Sequence, residues 1–176
     1  MVTAADVALL ILRLVLGVSL AAHGFNKFFG GGRIPGTARW FESIGMKYGK
    51  FQAVTAAVAE IAAGLGLAVG LLTPITAAGF VALMAVAVWT VHRKNGFFII
   101  KEGWEYNLVL ATGAVTVAML GPGRLSLDHQ IFCHCWATGW TGLAISLGLG
   151  LVGAIGQLAL FYRPPAKPDA PAATGE

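Results

Sequence analysis

Residues 53–92 constrain this chain most, because two long apolar runs there are separated only by Thr73-Pro74. A helix of about 20 apolar residues crosses the core of a bilayer, so the two runs predict a membrane-spanning helical hairpin that turns at this dipeptide. Glu60 lies in the middle of the first run, and His92 ends the second. Because a charge at the centre of a span costs roughly 2.5–3.5 kcal/mol, we expect Glu60 to have a polar partner.

Composition extends the membrane assignment to the whole chain. Of the 176 residues, 57% are hydrophobic and 11% are charged, whereas soluble domains average about 25% charged. The net charge of +4 comes from basic residues scattered through loops, which argues against a nucleic-acid surface. The sequence therefore predicts an all-α integral membrane helical bundle in contact with lipid. Its spans are expected at residues 7–25, 51–72, 75–91, 106–120 and 140–161.

The chain is expected to divide into three parts. Residues 1–128 form a four-helix core, residues 129–162 carry a cysteine-containing segment and a fifth span, and residues 163–176 form a disordered tail rich in Pro and Ala. In the first loop, Thr37 is the predicted N-cap of a short interfacial helix. Small residues at every fourth position of the fifth span predict a packing face; they are Gly142, Ser146, Gly150 and Ala154.

A seven-residue pattern occurs twice in the core. His23 to Phe29 and His92 to Phe98 share the spacing H-x-x-N-x-F-F, and each follows an apolar run and precedes a basic loop. The pattern predicts a duplicated hairpin with parallel repeats about an axis along the membrane normal.

The basic residues also predict orientation. Ten lysines and arginines fall on one side of the predicted spans, and only Arg124 falls on the other. Cytoplasmic loops of membrane proteins carry the excess of lysine and arginine. The N-terminus is therefore expected outside and the C-terminus in the cytoplasm.

Polar residues form two predicted layers within the bundle. Helix rise places Arg13 and Glu60 at similar depths, so we expect them to pair, and a second layer lies at the inner mouth. The candidate ligand-binding residues are Arg13, His23, Lys27, Glu60, His92 and Glu105. Two interpretations stay open: a structural bond with water-facing neighbours, or a hydrated inward-facing cavity suited to a polar head group such as a quinone carbonyl. No catalytic residue is assigned.

A cluster of metal-type ligands follows the core, at His129, Cys133, His134 and Cys135. Thiolates and imidazoles suit copper or zinc, and a disulfide within Cys-x-Cys is geometrically strained. The alternative, which we favour, is a set of small half-buried residues at the head of the fifth span. We therefore expect no metal site here.

These motifs in this order resemble the DoxX family of small bacterial membrane proteins. The matching pieces are LRLVLG, HGFNK, AEIAAGLGLAVGLLTP, the His92 ending, EGWEYNLVLA and GPGRLSLD. The resemblance implies a four-helix membrane domain linked to quinol oxidase, to thiosulfate:quinone oxidoreductase or to oxidative-stress complexes. The fifth span and the Cys-His-Cys segment depart from the family pattern.

Together with this resemblance, the sequence predicts an accessory redox or quinone-interacting subunit of a membrane oxidoreductase or respiratory complex in the bacterial inner membrane. No flavin, haem or iron–sulfur motif occurs, so no intrinsic cofactor is expected and electron transfer requires a partner enzyme. The expected partners are other membrane or redox subunits, and a homo-oligomer stays open. The alternatives are a non-catalytic structural subunit of a larger assembly and a transporter of a small, anionic solute.

Overall fold

The computed structural model describes residues 1–132 and 137–164, and these residues are largely α-helical. The α-helices in them are α1 Ala4–Phe29, α2 Arg33–Ser43, α3 Gly49–Val69, α4 Thr73–Ala87, α5 Glu105–Leu120, α6 Leu127–Ile131 and α7 Gly139–Phe161. A π-helix at Val88–His92 and a 3-10 turn at Arg93–Asn95 continue α4.

Within the described residues, four helical stretches are long and apolar enough to cross a bilayer: Ala4–Phe29, Gly49–Val69, Thr73–Asn95 and Gly139–Phe161. The 16-residue α5 is shorter but also apolar. At 1.5 Å per residue it is about 24 Å long, and its buried residues join the centre of the bundle. The predicted all-α membrane bundle is confirmed.

The central core is built by α1, α3, α4 and α5. Its largest side chains are Leu16 and Leu20 from α1, Leu67 from α3, Phe80 from α4 and Leu110 from α5. Helix α7 packs against α4 and α5. The buried residues of α7 are the four of the predicted small-residue face, Gly142, Ser146, Gly150 and Ala154, so that prediction is confirmed.

Two helix boundaries differ from the sequence expectation. Thr73 and Pro74 form the first turn of α4 rather than the hairpin turn, which lies at residues 70–72 with left-handed Gly70 and Leu72. Proline suits the first turn of a helix because the amide hydrogen it lacks has no partner there. Thr37 is not an N-cap, because α2 begins at Arg33 and the Thr37 hydroxyl donates to the Arg33 carbonyl inside the helix.

The two copies of the seven-residue pattern adopt different backbones. The first stays α-helical through Phe29. The second passes through the π-helix and the 3-10 turn and then leaves the helix at Gly96, whose φ is 82°. The duplication of the hairpin is thus not visible in these segments, and it stays a prediction.

The bundle has two polar ends, which we call the turn face and the loop face. The turn face carries the start of α1, the α3–α4 turn and residues 121–131, joined where Asp128 N donates to Gly70 O. The loop face carries α2, residues 93–104 and the end of α7. There, Lys47 N donates to Phe161 O, and Arg163 N donates to Gly45 O.

Candidate functional site

An ion pair between α1 and α3 is the central polar feature inside the bundle. Lys27 Nζ lies 2.7 Å from Oε1 and 2.6 Å from Oε2 of Glu60. The side chains are only 18% and 12% exposed, respectively. His23, one turn before Lys27, is exposed and contributes to the electrostatic environment of Glu60. An ammonium, a carboxylate and an imidazole therefore share one region of the α1–α3 contact.

Close helix packing sets the position of this pair. A Cβ atom placed on Gly24 would lie 2.6 Å from the Ala57 carbonyl oxygen and 3.1 Å from the Glu60 Cβ. Glycine thus allows the backbones of α1 and α3 to approach where Glu60 points toward α1. Lys27, three residues after Gly24, lies on the same helix face and reaches the carboxylate.

The predicted pairing of Arg13 with Glu60 is wrong. Arg13 is fully buried, and its guanidinium donates to carbonyl oxygens, from Nη1 to Ala68 at 3.2 Å and from Nη2 to Leu125 at 2.6 Å. Ala68 lies in the last turn of α3, where carbonyl groups have no helical partner and the helix dipole favours a cation. Similar depth placed Arg13 and Glu60 in one layer, but depth does not specify which neighbour each side chain faces.

Asp128 is a buried charge that the sequence analysis did not assign. Its carboxylate accepts hydrogen bonds from Leu72 N at 2.7 Å, Thr73 N at 2.8 Å and Thr73 Oγ1 at 2.7 Å. It therefore caps the start of α4 and interacts electrostatically with Arg13. The α3–α4 turn is held by a cation at one helix end and an anion at the next, as the helix dipoles favour. The available signal was the start of α4 itself, because the first amide groups of a helix have no acceptor within that helix.

A cavity of about 310 Å³ opens near this turn. Its lining includes Thr3, Asp6, Arg124, Asp128 and His129. The Asp6 carboxylate accepts from the backbone amides of Arg124 and Thr3, each at 2.8 Å, and from the Thr3 hydroxyl at 2.7 Å. Asp6 therefore fastens the start of α1 to residues 121–124.

His92 and Glu105 are separate from the ion pair. Both bind backbone groups of the loop between α4 and α5: His92 Nδ1 donates to Glu102 O at 2.6 Å, and Glu105 Oε2 accepts from Ile99 N at 3.0 Å. The six candidate residues thus occupy three places. The α1–α3 contact holds Lys27, Glu60 and His23, the α3–α4 turn holds Arg13, and the loop between α4 and α5 holds His92 and Glu105.

Comparison with known proteins adds family evidence to this geometry. The DoxX family model matches residues 8–93. Over 127 residues the chain is 30% identical to a Bacillus subtilis (strain 168) protein named "Putative oxidoreductase CatD", covering 72% of this chain and 89% of that protein. The chain belongs to the DoxX family. No solved structure matches it.

The DoxX match covers Lys27, Glu60 and His23, so the ion pair lies in the family part of the chain. Helix α7 and residues 129–135 lie beyond that match. Cys133, His134 and Cys135 are outside the described residues. In the described ranges 1–132 and 137–164, no group of three or more His, Cys, Asp or Glu side chains is placed so that it could hold a metal ion. The expectation of no metal at residues 129–135 stays a prediction.

Proposed function

We propose that this DoxX-family membrane protein is an accessory subunit of an inner-membrane oxidoreductase or respiratory complex, and that it contacts quinone at the Lys27–Glu60 pair. The observation that carries the proposal is this pair itself, an ammonium and a carboxylate inside a membrane bundle with 18% and 12% of their side chains exposed. Partial exposure leaves both groups reachable, and charged groups within spans commonly mark ligand or proton pathways.

The pair suits the polar chemistry of a quinone. A quinone carbonyl accepts hydrogen bonds and takes up protons when it is reduced, and Lys27 can donate a hydrogen bond to such an oxygen. Glu60 can hold a proton when Lys27 turns to the ligand, and the exposed His23 lies one helical turn before Lys27, next to this proton. The electrons would come from a partner enzyme, because the sequence contains no flavin, haem or iron–sulfur motif. The oxidoreductase name of the Bacillus subtilis relative supports a redox setting.

A second candidate is a non-catalytic structural subunit. The observation that favours it is that Lys27 Nζ contacts both carboxylate oxygens of Glu60. Such a pair could simply join α1 to α3. In that case the protein would bind its partner subunits without binding quinone.

The test is purification of the full-length protein in a mild detergent, followed by mass spectrometry of bound lipids and proteins. We expect quinone with the parent protein, its loss from the K27M/E60Q double variant, and its retention in K47M, which removes an exposed lysine of the loop face. The double variant avoids an unpaired buried charge. A stoichiometric partner without quinone would instead support the structural subunit, and solute uptake by protein in liposomes would support a transporter.

A further inference from the structure

The loop at residues 96–105, which runs from the end of the 3-10 turn at Arg93–Asn95 to the first residue of α5, is folded by its own hydrogen bonds. Trp104 N donates to Gly96 O, Glu105 N to Phe97 O, and Gly103 N to Phe98 O. The Glu105 carboxylate accepts from Ile99 N, and the Glu102 carbonyl accepts from both His92 and Asn95. We call these residues the 96–105 loop.

Two glycines allow the two ends of the loop, residues 96–98 and 103–105, to lie close together at its base. Gly96 has a φ of 82° and a ψ of −163°, a conformation essentially restricted to glycine. A Cβ on Gly103 would lie 2.5 Å from the Phe97 carbonyl oxygen. The rings of Phe97 and Trp104 pack edge to face at 4.8 Å across the base. The loop therefore holds one defined shape.

This defined shape presents large apolar side chains at its tip. Phe98 is 63% exposed, Ile99 is 53% exposed and Ile100 is 89% exposed. Consecutive exposed apolar residues on a locally ordered loop mark a surface that is covered by something other than water.

Basic residues precede and follow the tip in the chain. Lys94 and Lys101 are exposed, and the Arg93 guanidinium lies 4.0 Å from the centre of the Trp89 ring. The acidic residues of this segment are Glu102, which is exposed, and Glu105, whose carboxylate accepts a hydrogen bond from the loop backbone. The three cations therefore outnumber the acidic residues. Apolar side chains flanked by lysine and arginine are typical of segments that lie in the headgroup layer of a membrane.

We propose that the 96–105 loop inserts its tip into the bilayer interface and that Lys94 and Lys101 bind the phosphates of anionic phospholipids. The chain itself places the loop at the membrane boundary, because one apolar span ends at Asn95 and α5 begins at Glu105. The positive rim complements negative headgroups, and the tip residues lose their contact with water. This proposal is independent of the quinone proposal, since it involves neither Lys27 nor Glu60.

The test measures tip depth with a nitroxide label on Ile100→Cys, in full-length protein carrying Cys133→Ser and Cys135→Ser, in vesicles containing phosphatidylglycerol. Ile100 is 89% exposed, so the label should leave the fold unchanged, which an unaltered melting temperature would verify. We expect collisions with oxygen to exceed those with a water-soluble nickel complex, as for a label on Val152→Cys, a 68% exposed position of α7. A label accessible to nickel would overturn insertion and show that the tip faces water.

The charge part of the proposal is tested by measuring the affinity of the protein for phosphatidylglycerol with native mass spectrometry. A lysine in direct contact with an anionic headgroup contributes about a fivefold gain in affinity. K94Q/K101Q should therefore bind this lipid about 25-fold more weakly, whereas K47Q/K50Q, which removes two exposed lysines of the same face, should bind nearly as the parent does. Equal losses in the two pairs would overturn the assignment to this loop.

Discussion

Among single residues, Glu60 and Arg13 show two ways in which a bundle accommodates a charge. Glu60 meets a charged side chain, Lys27. Arg13 instead meets carbonyl oxygens of Ala68 and Leu125. The Ala68 carbonyl lies at the end of α3, where carbonyl groups carry partial negative charge, so Arg13 is stabilised there without direct contact with a carboxylate. The two charges belong to separate structural units and should respond separately to mutation.

Breaking the Lys27–Glu60 pair should be costly, and removing it whole should be mild. Loss of one partner of a buried pair typically costs about 3–5 kcal/mol because the other charge stays uncompensated. The partial exposure of both groups places Lys27→Met and Glu60→Gln near the lower end of that range. The K27M/E60Q double variant should recover much of the loss, as measured by unfolding in detergent.

Variants of Arg13 provide the matched comparison for the double-mutant cycle of Lys27 and Glu60. Because Arg13 does not contact Glu60, the losses in R13M/E60Q should add, with no recovery in the double variant. Recovery in R13M/E60Q together with additive losses in K27M/E60Q would contradict the pairing described above.

Among helices, the close contact between α1 and α3 depends on glycine residues, which have no side chain. A Cβ on Gly64 would lie 2.5 Å from the Gly17 carbonyl oxygen and 2.6 Å from Ala21 N, and a Cβ on Gly17 would overlap Gly64 in the same way. These neighbours are backbone atoms, which cannot rotate away. The crossing is therefore closer than any larger residue would allow, as is common between membrane helices.

Gly64→Val should separate α1 from α3. Overpacking costs about 1–3 kcal/mol, and we expect a correspondingly lower unfolding temperature in detergent. The matched control is Gly148→Val in α7, where an added Cβ has nothing within 4 Å, and it should stay within about 0.5 kcal/mol of the parent. Equal losses in the two variants would show that the crossing tolerates a side chain.

For the whole molecule, the fold gathers the basic residues at one end. Arg33, Arg39, Lys47 and Lys50 lie on or beside α2, and the cations of residues 93–101 and Arg163 share the loop face. The turn face carries Arg124. The excess of lysine and arginine in cytoplasmic loops predicts that the loop face lies in the cytoplasm.

Fusion reporters test this orientation. A reporter joined after Phe161, at the loop face, should report the cytoplasm, and one joined after Leu120, at the turn face, should report the periplasm. The inverse pattern would reverse the orientation. It would also move residues 129–135 into a reducing compartment, where their cysteines would stay as thiols.

By itself, the sequence determined the membrane class, the five apolar helices to within a few residues, and the packing face of α7. These features follow from composition and from the spacing of small residues, which are local properties of the chain. It also singled out Glu60, as a charge inside an apolar segment, and Lys27, as a cation just beyond the end of the first predicted span. Only the tertiary structure decided that these two pair, that Arg13 binds the carbonyl oxygens of Ala68 and Leu125, and that Asp128 caps α4. Each of those partners lies far along the chain, and helix rotation and crossing, which set these contacts, are not encoded by depth alone.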